Sequence, residues 1–503
     1  MKKLIIGNDL TIEDVYAASV DENVKVDIDT AALAKVKKNR IVVENILKQN
    51  KPVYGINTGF GSLSDVKIDN DKLKKLQVNL IRSHSAGTGN LLESPFVRAM
   101  MLLRAHNLSY GYSGVREDVI KTILLFLNNN MIPVIPEKGS VGASGDLAPL
   151  AHLTLALIGE GEIFYKGRKQ ISAPVIKELG ANPLELEAKE GLALINGTQF
   201  MTALGCLGLV EAESLCKHAD IIAAISVDAM LGTFTAFDTR ISDIRPHEGQ
   251  RKVSENMTKL SQGSGISKSH KECGRVQDPY SLRCIPQVHG AIRDAVNYLR
   301  KVLSIEINSV TDNPIVFEDG IISGGNFHGE PLALAFDFAA IAMTELSCIS
   351  ERRTDKLLTP AFNIGLSPYL SKHSGLNSGF MIAQYTAAAL LNENRVLSHP
   401  ASVDNVPTSN DKEDHVSMGA TGARKLLSII DNVETVLAIE LLLSVEACTQ
   451  REPLKTSKEL SKVVDIVRRE IPALGEDRVI AVDIKKAKDI IKNKKILEEV
   501  KVG

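Results

Sequence analysis

The run Glu137-Lys-Gly-Ser-Val-Gly-Ala-Ser-Gly-Asp-Leu-Ala-Pro-Leu-Ala-His152 decides how this chain is read. Gly139, Gly142 and Gly145 make a pliable loop, and Asp146 is placed to cap a helix beginning at Leu147. Three uses suit such a stretch. It is a plain loop-to-helix turn; or it presents Ser144 as a hydrolase nucleophile, although Gly142-Ala-Ser-Gly-Asp146 does not match G-x-S-x-G; or it reacts with its own backbone. In the third case the Gly145 nitrogen attacks the Ala143 carbonyl, a five-membered ring closes, and loss of two waters turns Ser144 into a dehydroalanine. Gly145 leaves its nitrogen uncrowded, Ala143 offers a small carbonyl, and Ser144 has a hydroxyl to eliminate. The product, a 4-methylidene-imidazole-5-one (MIO), is an electron sink that ordinary side chains lack.

Outward from that loop the apolar spacing is helical. Ser94-Pro95 reads as an N-cap followed by a first-position proline, with Phe96, Met100 and Leu103 on one face. Leu426, Ile430, Val433, Leu437 and Leu441 step by three or four residues. Segments 198–232, 286–310, 327–353 and 376–398 are long and rich in Ala and Leu, as in bundles or subunit interfaces. Strand-like text is confined to two short hairpins, Glu162–Gln170 around Lys166-Gly167 and Ile315–Ile322 around Asp319-Gly320. The lysines between Lys485 and Lys501 mark a solvated helix face, because Ile490, Ile491, Ile496 and Leu497 keep helical spacing. Gly191–Val210 lacks a charge but holds Asn196, Thr198, Gln199 and four glycines. It reads as a buried helix preceded by a polar loop rather than as a membrane span.

Composition removes several functions. In 503 residues, 59 Lys and Arg balance 61 Asp and Glu for a net charge of -2, Trp is absent and aromatics are 4%. That leaves neither a basic excess nor a stacking platform for nucleic acid. Six scattered cysteines, Cys273 among them, form no C-x-x-C pair, which argues against zinc ribbons, iron–sulfur ligation and a disulfide framework. The first residues, MKKLIIGNDL, are too short in apolar length for a signal peptide, so the expected setting is cytoplasmic. There is no Walker loop and no HExxH; Gly59-Phe-Gly61 lacks the third glycine of a dinucleotide motif, and Ser64–Lys67 matches S-x-x-K at the level of noise. No metal and no soluble coenzyme is expected.

Other blocks stand around the loop: Tyr54-Gly-Ile-Asn-Thr-Gly-Phe-Gly61, Asn196-Gly-Thr-Gln199, Gln277-Asp-Pro-Tyr-Ser-Leu-Arg283, Thr311-Asp-Asn-Pro314 and Gly324-Gly-Asn-Phe-His328. Together with residues 137–152 they resemble, in order, the blocks of the aromatic amino acid ammonia-lyases, over residues 50 to 420 at least. The resemblance implies a mainly α, long-helix bundle of the fumarase/aspartase-like type with a few short β-hairpins. It implies an MIO group made from Ala143, Ser144 and Gly145, and a homotetramer whose active sites combine residues of several subunits. Within one family domain it suggests an N-terminal region, 1–200, carrying the loop. A central bundle and oligomer core would cover 201–452, and a C-terminal helical segment 453–503.

An α-amino acid has a weakly acidic β-hydrogen, so elimination needs an electrophile, a base, a carboxylate clamp and a ring pocket. By position in the resembling motifs, Arg283 clamps the substrate carboxylate and Tyr280 is the general base. Tyr54 and Asn196 assist elimination or hold the cofactor oxygen or substrate amine, Gln277 lies on the substrate side, and Phe327 packs near the ring. His84 stands where phenylalanine-specific members are apolar. Glu413, in Lys412-Glu-Asp-His-Val-Ser-Met418, resembles the acid of the histidine branch, and a carboxylate suits an imidazole N–H, whereas a benzene ring would leave it unpaired. Its plain alternative is a first-turn helix acid after Ser409, Asn410 and Asp411. Ile285, His289 and Gly329 depart from the commonest text of that branch. The expected reaction is L-histidine to trans-urocanate and ammonia. The rivals are a tyrosine ammonia-lyase or aminomutase with His84 on a phenol, and a non-catalytic scaffold with an uncyclised loop.

Overall fold

The computed structural model describes residues 3–49, 52–59, 61–270, 274 and 276–503; Phe60 and Cys273, named above, lie outside the described residues. The chain divides into two compact units, each built from three stretches: Met1–Leu207, Arg300–Asp337 and Pro400–Arg424 in the first; Gly208–Leu299, Phe338–His399 and Lys425–Gly503 in the second. Among the described residues the fold is mainly helical, with short strands only.

At the centre of the first unit runs the helix Ser94–Ser109, buried at every residue from Val97 onward and packed against helices Ile12–Val20, Thr30–Gln49 and Glu117–Asn128. Its N-cap is Glu93 rather than Ser94, and no side chain bonds the cap. Ser94 is already helical, and Pro95 falls in the first turn, where a missing N–H costs no helix bond. Inside this apolar helix Arg98 donates to the carbonyls of Ala18 (2.9 and 3.1 Å) and Leu127 (3.1 Å). These are terminal carbonyls of the two neighbouring helices, so one buried guanidinium completes two helix ends.

A second group of helices in this unit, Leu73–His84, Leu147–Leu157 and Glu190–Ile195, packs mutually. The chain between residues 191 and 210 is helical on both sides of a break at Asn196-Gly197-Thr198, so the polar segment interrupts the buried stretch instead of preceding it. Gly197 carries the break at φ +137. Both hairpins form: Glu162–Tyr165 pairs antiparallel with Arg168–Ile171, and Ile315–Phe317 with Gly320–Ile322. Lys166 and Gly167 both have positive φ, as a two-residue hairpin turn demands. Unforeseen were the parallel pair Lys3–Ile6 with Lys25–Ile28 and the pairing of Thr88–Leu91 with Pro136–Lys138. At three or four residues, these strands are too short to display an alternation.

The long helices are Gln199–Ala229, Ile285–Glu306, Glu330–Leu358, Met381–Leu397 and Gly419–Gln450, close to the segments the sequence marks. Glu330–Leu358 is long and apolar enough to cross a membrane, but 72% of its apolar window is buried. In the second unit Arg353 forks onto Glu440 at 2.6 and 2.9 Å, and the same carboxylate accepts from Ser226 (2.7 Å) and Ser350 (2.6 Å). A buried carboxylate so fully bonded ties three helices in one register. His289 belongs to this interior: Nδ1 donates to Asp220 at 2.8 Å and Nε2 faces Arg353 at 3.3 Å. Ile285 is also fully buried. The lysine-rich C-terminus is helical and buries Ile490, Ile491 and Ile496 as its spacing predicts.

Candidate active site

Three helix ends of the first unit define the site. His84 is the last residue of Leu73–His84, Asp146 precedes Leu147–Leu157, and Asn196 follows Glu190–Ile195. Mutual packing of these helices fixes their ends relative to one another.

In the Ala143-Ser144-Gly145 bend, Ala143 and Ser144 lie between two glycines of positive φ, Gly142 at +70 and Gly145 at +78. Each position also excludes a side chain by space: a Cβ on Gly142 would come within 2.2 Å of Ser417 Oγ, and one on Gly145 within 2.2 Å of the Gly197 carbonyl oxygen. Gly145 and Gly197 pair as a parallel bridge, and the Asp146 N–H donates to Gly197 at 2.7 Å. Ala143 is buried. A chain turned so sharply, with its glycine nitrogen unscreened by any Cβ, fits the ring closure suggested by the sequence. Asn196 Oδ1, buried and without a partner, is an acceptor left over for a further group.

Asp146 occupies the N-cap position, yet its side chain makes no cap bond. Its carboxylate instead accepts the Met201 N–H at 2.9 Å and the Ser140 hydroxyl at 3.2 Å. Complete burial pushes its pKa up to about 7 against those bonds.

Ser144 Oγ donates to Glu413 Oε1 at 3.0 Å, and Thr408 Oγ1 donates to Glu413 Oε2 at 3.0 Å. Glu413 lies in a loop, not in a first helical turn. The helix begins at Gly419, and Ser409, Asn410 and Asp411 all have positive φ, which turns the chain so that Thr408 and Glu413 bridge. The loop is stitched to the bend by Met418 N–H on the Val141 carbonyl (2.9 Å) and Ser417 Oγ on that of Gly142 (3.3 Å). Around this carboxylate, burial and the Glu413 charge raise the pKa of Tyr54. Burial lowers that of His84, with Glu413 pulling the other way. Asn196 donates through Nδ2 to the Asn313 carbonyl at 3.0 Å.

Phe327 is half-buried in the turn before Glu330–Leu358. Gly329 packs closely there: a Cβ would meet Met201 Sδ at 2.6 Å, so the methionine side chain would have to shift. Beside it His328, Glu330 and His415 bring potential metal-ligand atoms within 4.8 Å of one another, which no spacing in the sequence announced. Both nitrogens of His328 are already engaged, Nδ1 by the Glu330 N–H (3.3 Å) and Nε2 by the His415 carbonyl (3.2 Å). The trio reads as a hydrogen-bonded junction between two loops.

Ala143, Ser144, Gly145, Tyr54, His84, Asn196, Phe327 and Glu413 thus belong to one unit. Gln277, Tyr280 and Arg283 belong to the second, where Gln277 is exposed, Tyr280 is 70% exposed, and the Arg283 guanidinium lies 4.9 Å from the Tyr280 ring centre. Sequence reasoning missed Thr408, Ser417 and Arg104, whose guanidinium donates to the Asn196 carbonyl at 2.6 Å. A signal for the last was present: a charge inside Met101-Leu-Leu-Arg-Ala105, an otherwise apolar helical stretch.

Residues 10–469 match the model of the aromatic amino acid lyase family. The chain is 49% identical over 504 residues to a histidine ammonia-lyase of Caldanaerobacter subterraneus subsp. tengcongensis, covering 100% of this chain and 99% of that one. The crystal structure of histidine ammonia-lyase from Trypanosoma cruzi superposes with a TM-score of 0.91 at 40% identity, over 99% of this chain and 94% of that one. That of tyrosine aminomutase from Streptomyces globisporus superposes with a TM-score of 0.94 at 39% identity, over 100% and 99%.

Proposed function

The chain belongs to the aromatic amino acid lyase family, and on that premise we propose that it is a histidine ammonia-lyase, converting L-histidine to trans-urocanate and ammonia at the first step of histidine degradation. The observation that carries the choice of histidine is the Glu413 carboxylate bonded to Ser144 Oγ at 3.0 Å. Beside the reactive serine a carboxylate has a natural partner in an imidazole N–H, and a phenyl ring would desolvate it for nothing in return.

The prosthetic group made from Ala143, Ser144 and Gly145 supplies an electron sink that lets the amine depart. The chain's own side chains do the rest. Arg283 holds the substrate carboxylate with its planar fork. Tyr280 or Glu413 takes the β-proton. Tyr54, kept protonated by burial and by the Glu413 charge, donates toward the leaving amine, while the free Oδ1 of Asn196 accepts from it. His84 and Gln277 line the substrate, and Phe327 covers its ring.

The assembly we propose is a homotetramer with shared sites, in the cytoplasm. A general base that is 70% exposed in one chain calls for cover, and Leu334, Phe338 and Ile341 form an exposed apolar stripe at i, i+4, i+7 on one helix.

The similarity to a tyrosine aminomutase supports a second reading, a tyrosine ammonia-lyase or aminomutase with the same cofactor. Purified protein mixed separately with L-histidine, L-tyrosine and L-phenylalanine, followed by the ultraviolet absorbance of each conjugated acid, tests the choice. A signal with histidine alone is expected. A signal with tyrosine overturns the imidazole assignment, and silence with all three removes the lyase.

A further inference from the structure

Arg104 sits in the fully buried stretch of Ser94–Ser109 and is itself 0% exposed. The reaction described above does not use it. A cation in the interior carries a large desolvation penalty. Burial lowers its pKa to about 10, which still leaves it charged at neutral pH, with Asp312 and Asp146 favouring the cation. Two buried arginines of this chain have plain structural uses: Arg353 forks onto the Glu440 carboxylate, and Arg98, on the same helix as Arg104, completes the ends of two neighbouring helices. Arg104 does otherwise. Nη1 donates to the Asn196 carbonyl and Nη2 to Asn107 Oδ1, each at 2.6 Å, and Nε has no partner. Asn107 is anchored in turn, donating to the Ser309 carbonyl at 2.8 Å, while Asp312 is taken by Lys189 at 2.7 Å. This guanidinium therefore spends its bonds on two neutral amides, one of them the peptide joining Asn196 to Gly197.

That peptide lies directly under the bend. Gly197 bridges Gly145 and accepts the Asp146 N–H at 2.7 Å. A Cβ on Gly197 would meet Gln199 Oε1 at 2.5 Å, Thr311 Oγ1 at 2.8 Å and Arg104 Nη1 at 3.2 Å. The layers run from Arg104 through Asn196-Gly197 to Gly145-Asp146 with no space to yield.

We propose that Arg104 is a positioning residue for ring closure: by pinning the Asn196-Gly197 backbone it holds Gly145 in the bend that turns its nitrogen toward the Ala143 carbonyl. The proposal rests on the reading that this tripeptide cyclises. In that step a bond forms between Gly145 N and Ala143 C. The Ala143 carbonyl oxygen leaves as water with the amide hydrogens of Gly145 and Ser144. The Ser144 hydroxyl leaves as a second water with the Ser144 Cα hydrogen, so no oxidant or reductant is needed. Arg104 touches none of these atoms.

The test follows the tryptic peptide Gly139–Lys166 by mass in full-length protein, sampled over time after cell-free synthesis. Wild type is expected to become lighter by two waters. Arg104→Gln is expected to slow that loss about 100-fold, the size of a misplacement effect, in protein whose circular dichroism and cooperative melt are unchanged. Arg104→Lys, which keeps the charge but not the fork, recovers part of the rate. Asn107→Ala removes one anchor while leaving the cation in place, and slows the loss to a smaller degree; it decides the matter if Arg104→Gln does not fold. Cyclisation at the wild-type rate in the folded variants overturns the proposal. A wild-type peptide of unmodified mass refutes the parent reading instead, whatever the variants do.

Discussion

Ser144 and Tyr280 are both assigned to the reaction, yet they live in opposite surroundings. The bend around Ser144 is enclosed by glycines at positive φ with close neighbours, by a buried aspartate and by a carboxylate held on two sides. Tyr280 opens a four-residue helix and is 70% exposed, its nearest aromatic-face partner being Arg283. The residues proposed to form the electrophile thus lie within one unit of a single chain. Tyr280, one of the two residues proposed to take the β-proton, is presented outward, and Arg283, the proposed carboxylate clamp, lies beside it. Groups that must react with their own backbone need fixed geometry from the moment of folding. Groups that act on substrate can be completed by assembly.

Four substitutions or titrations would break or sharpen that contrast. Ser144→Ala has the largest effect: the Gly139–Lys166 peptide keeps its unmodified mass and histidine turnover falls below detection. Arg283→Lys leaves cyclisation complete by mass but lowers kcat/KM for histidine about 100-fold, or about 3 kcal/mol, because a point charge replaces a fork. If it also blocked cyclisation, the two sets of residues would not be separable.

The third test is a titration. Burial raises the folded pKa of Asp146 from 3.8 to about 7. Its contribution to stability is therefore full below the unfolded value and is lost as pH rises through that window, at no more than about 1.4 kcal/mol per pH unit. Thermal melts from pH 4 to 8 should show the decline, and Asp146→Asn should flatten it. A wild-type Tm with the opposite slope would contradict the enclosed aspartate. The smallest effect belongs to Thr408→Val, which takes one bond of about 1.5 kcal/mol from Glu413 and should lower kcat about tenfold without changing the peptide mass.

Much of this arrangement was legible in the residues. The hairpins announced themselves because Lys166-Gly167 and Asp319-Gly320 mark tight turns between short apolar runs, and the long helices because their apolar spacing holds for many turns. The bend at 142–145 was legible because glycine at two flanking positions has few other uses. What was hidden depended on distant partners. Arg104 looks like an anomaly in Met101-Leu-Leu-Arg-Ala105 until the Asn196 carbonyl, 92 positions away, is placed on it. Asp146 looked like a helix cap because position alone predicts one, but the Met201 N–H competes for its carboxylate. The plain alternative for Glu413 failed because Ser409, Asn410 and Asp411 take left-handed conformations, which single-residue preferences do not foretell.

The account stands or falls on Glu413 as the group that selects an imidazole. Measuring kcat/KM for L-histidine and L-tyrosine in wild type and in Glu413→Gln, with the tryptic peptide mass confirming cyclisation in both, tests this most directly. The wild-type enzyme should favour histidine strongly, and the variant should lose about 100-fold on histidine with little change on tyrosine. An unchanged histidine-to-tyrosine ratio in fully cyclised Glu413→Gln would contradict it.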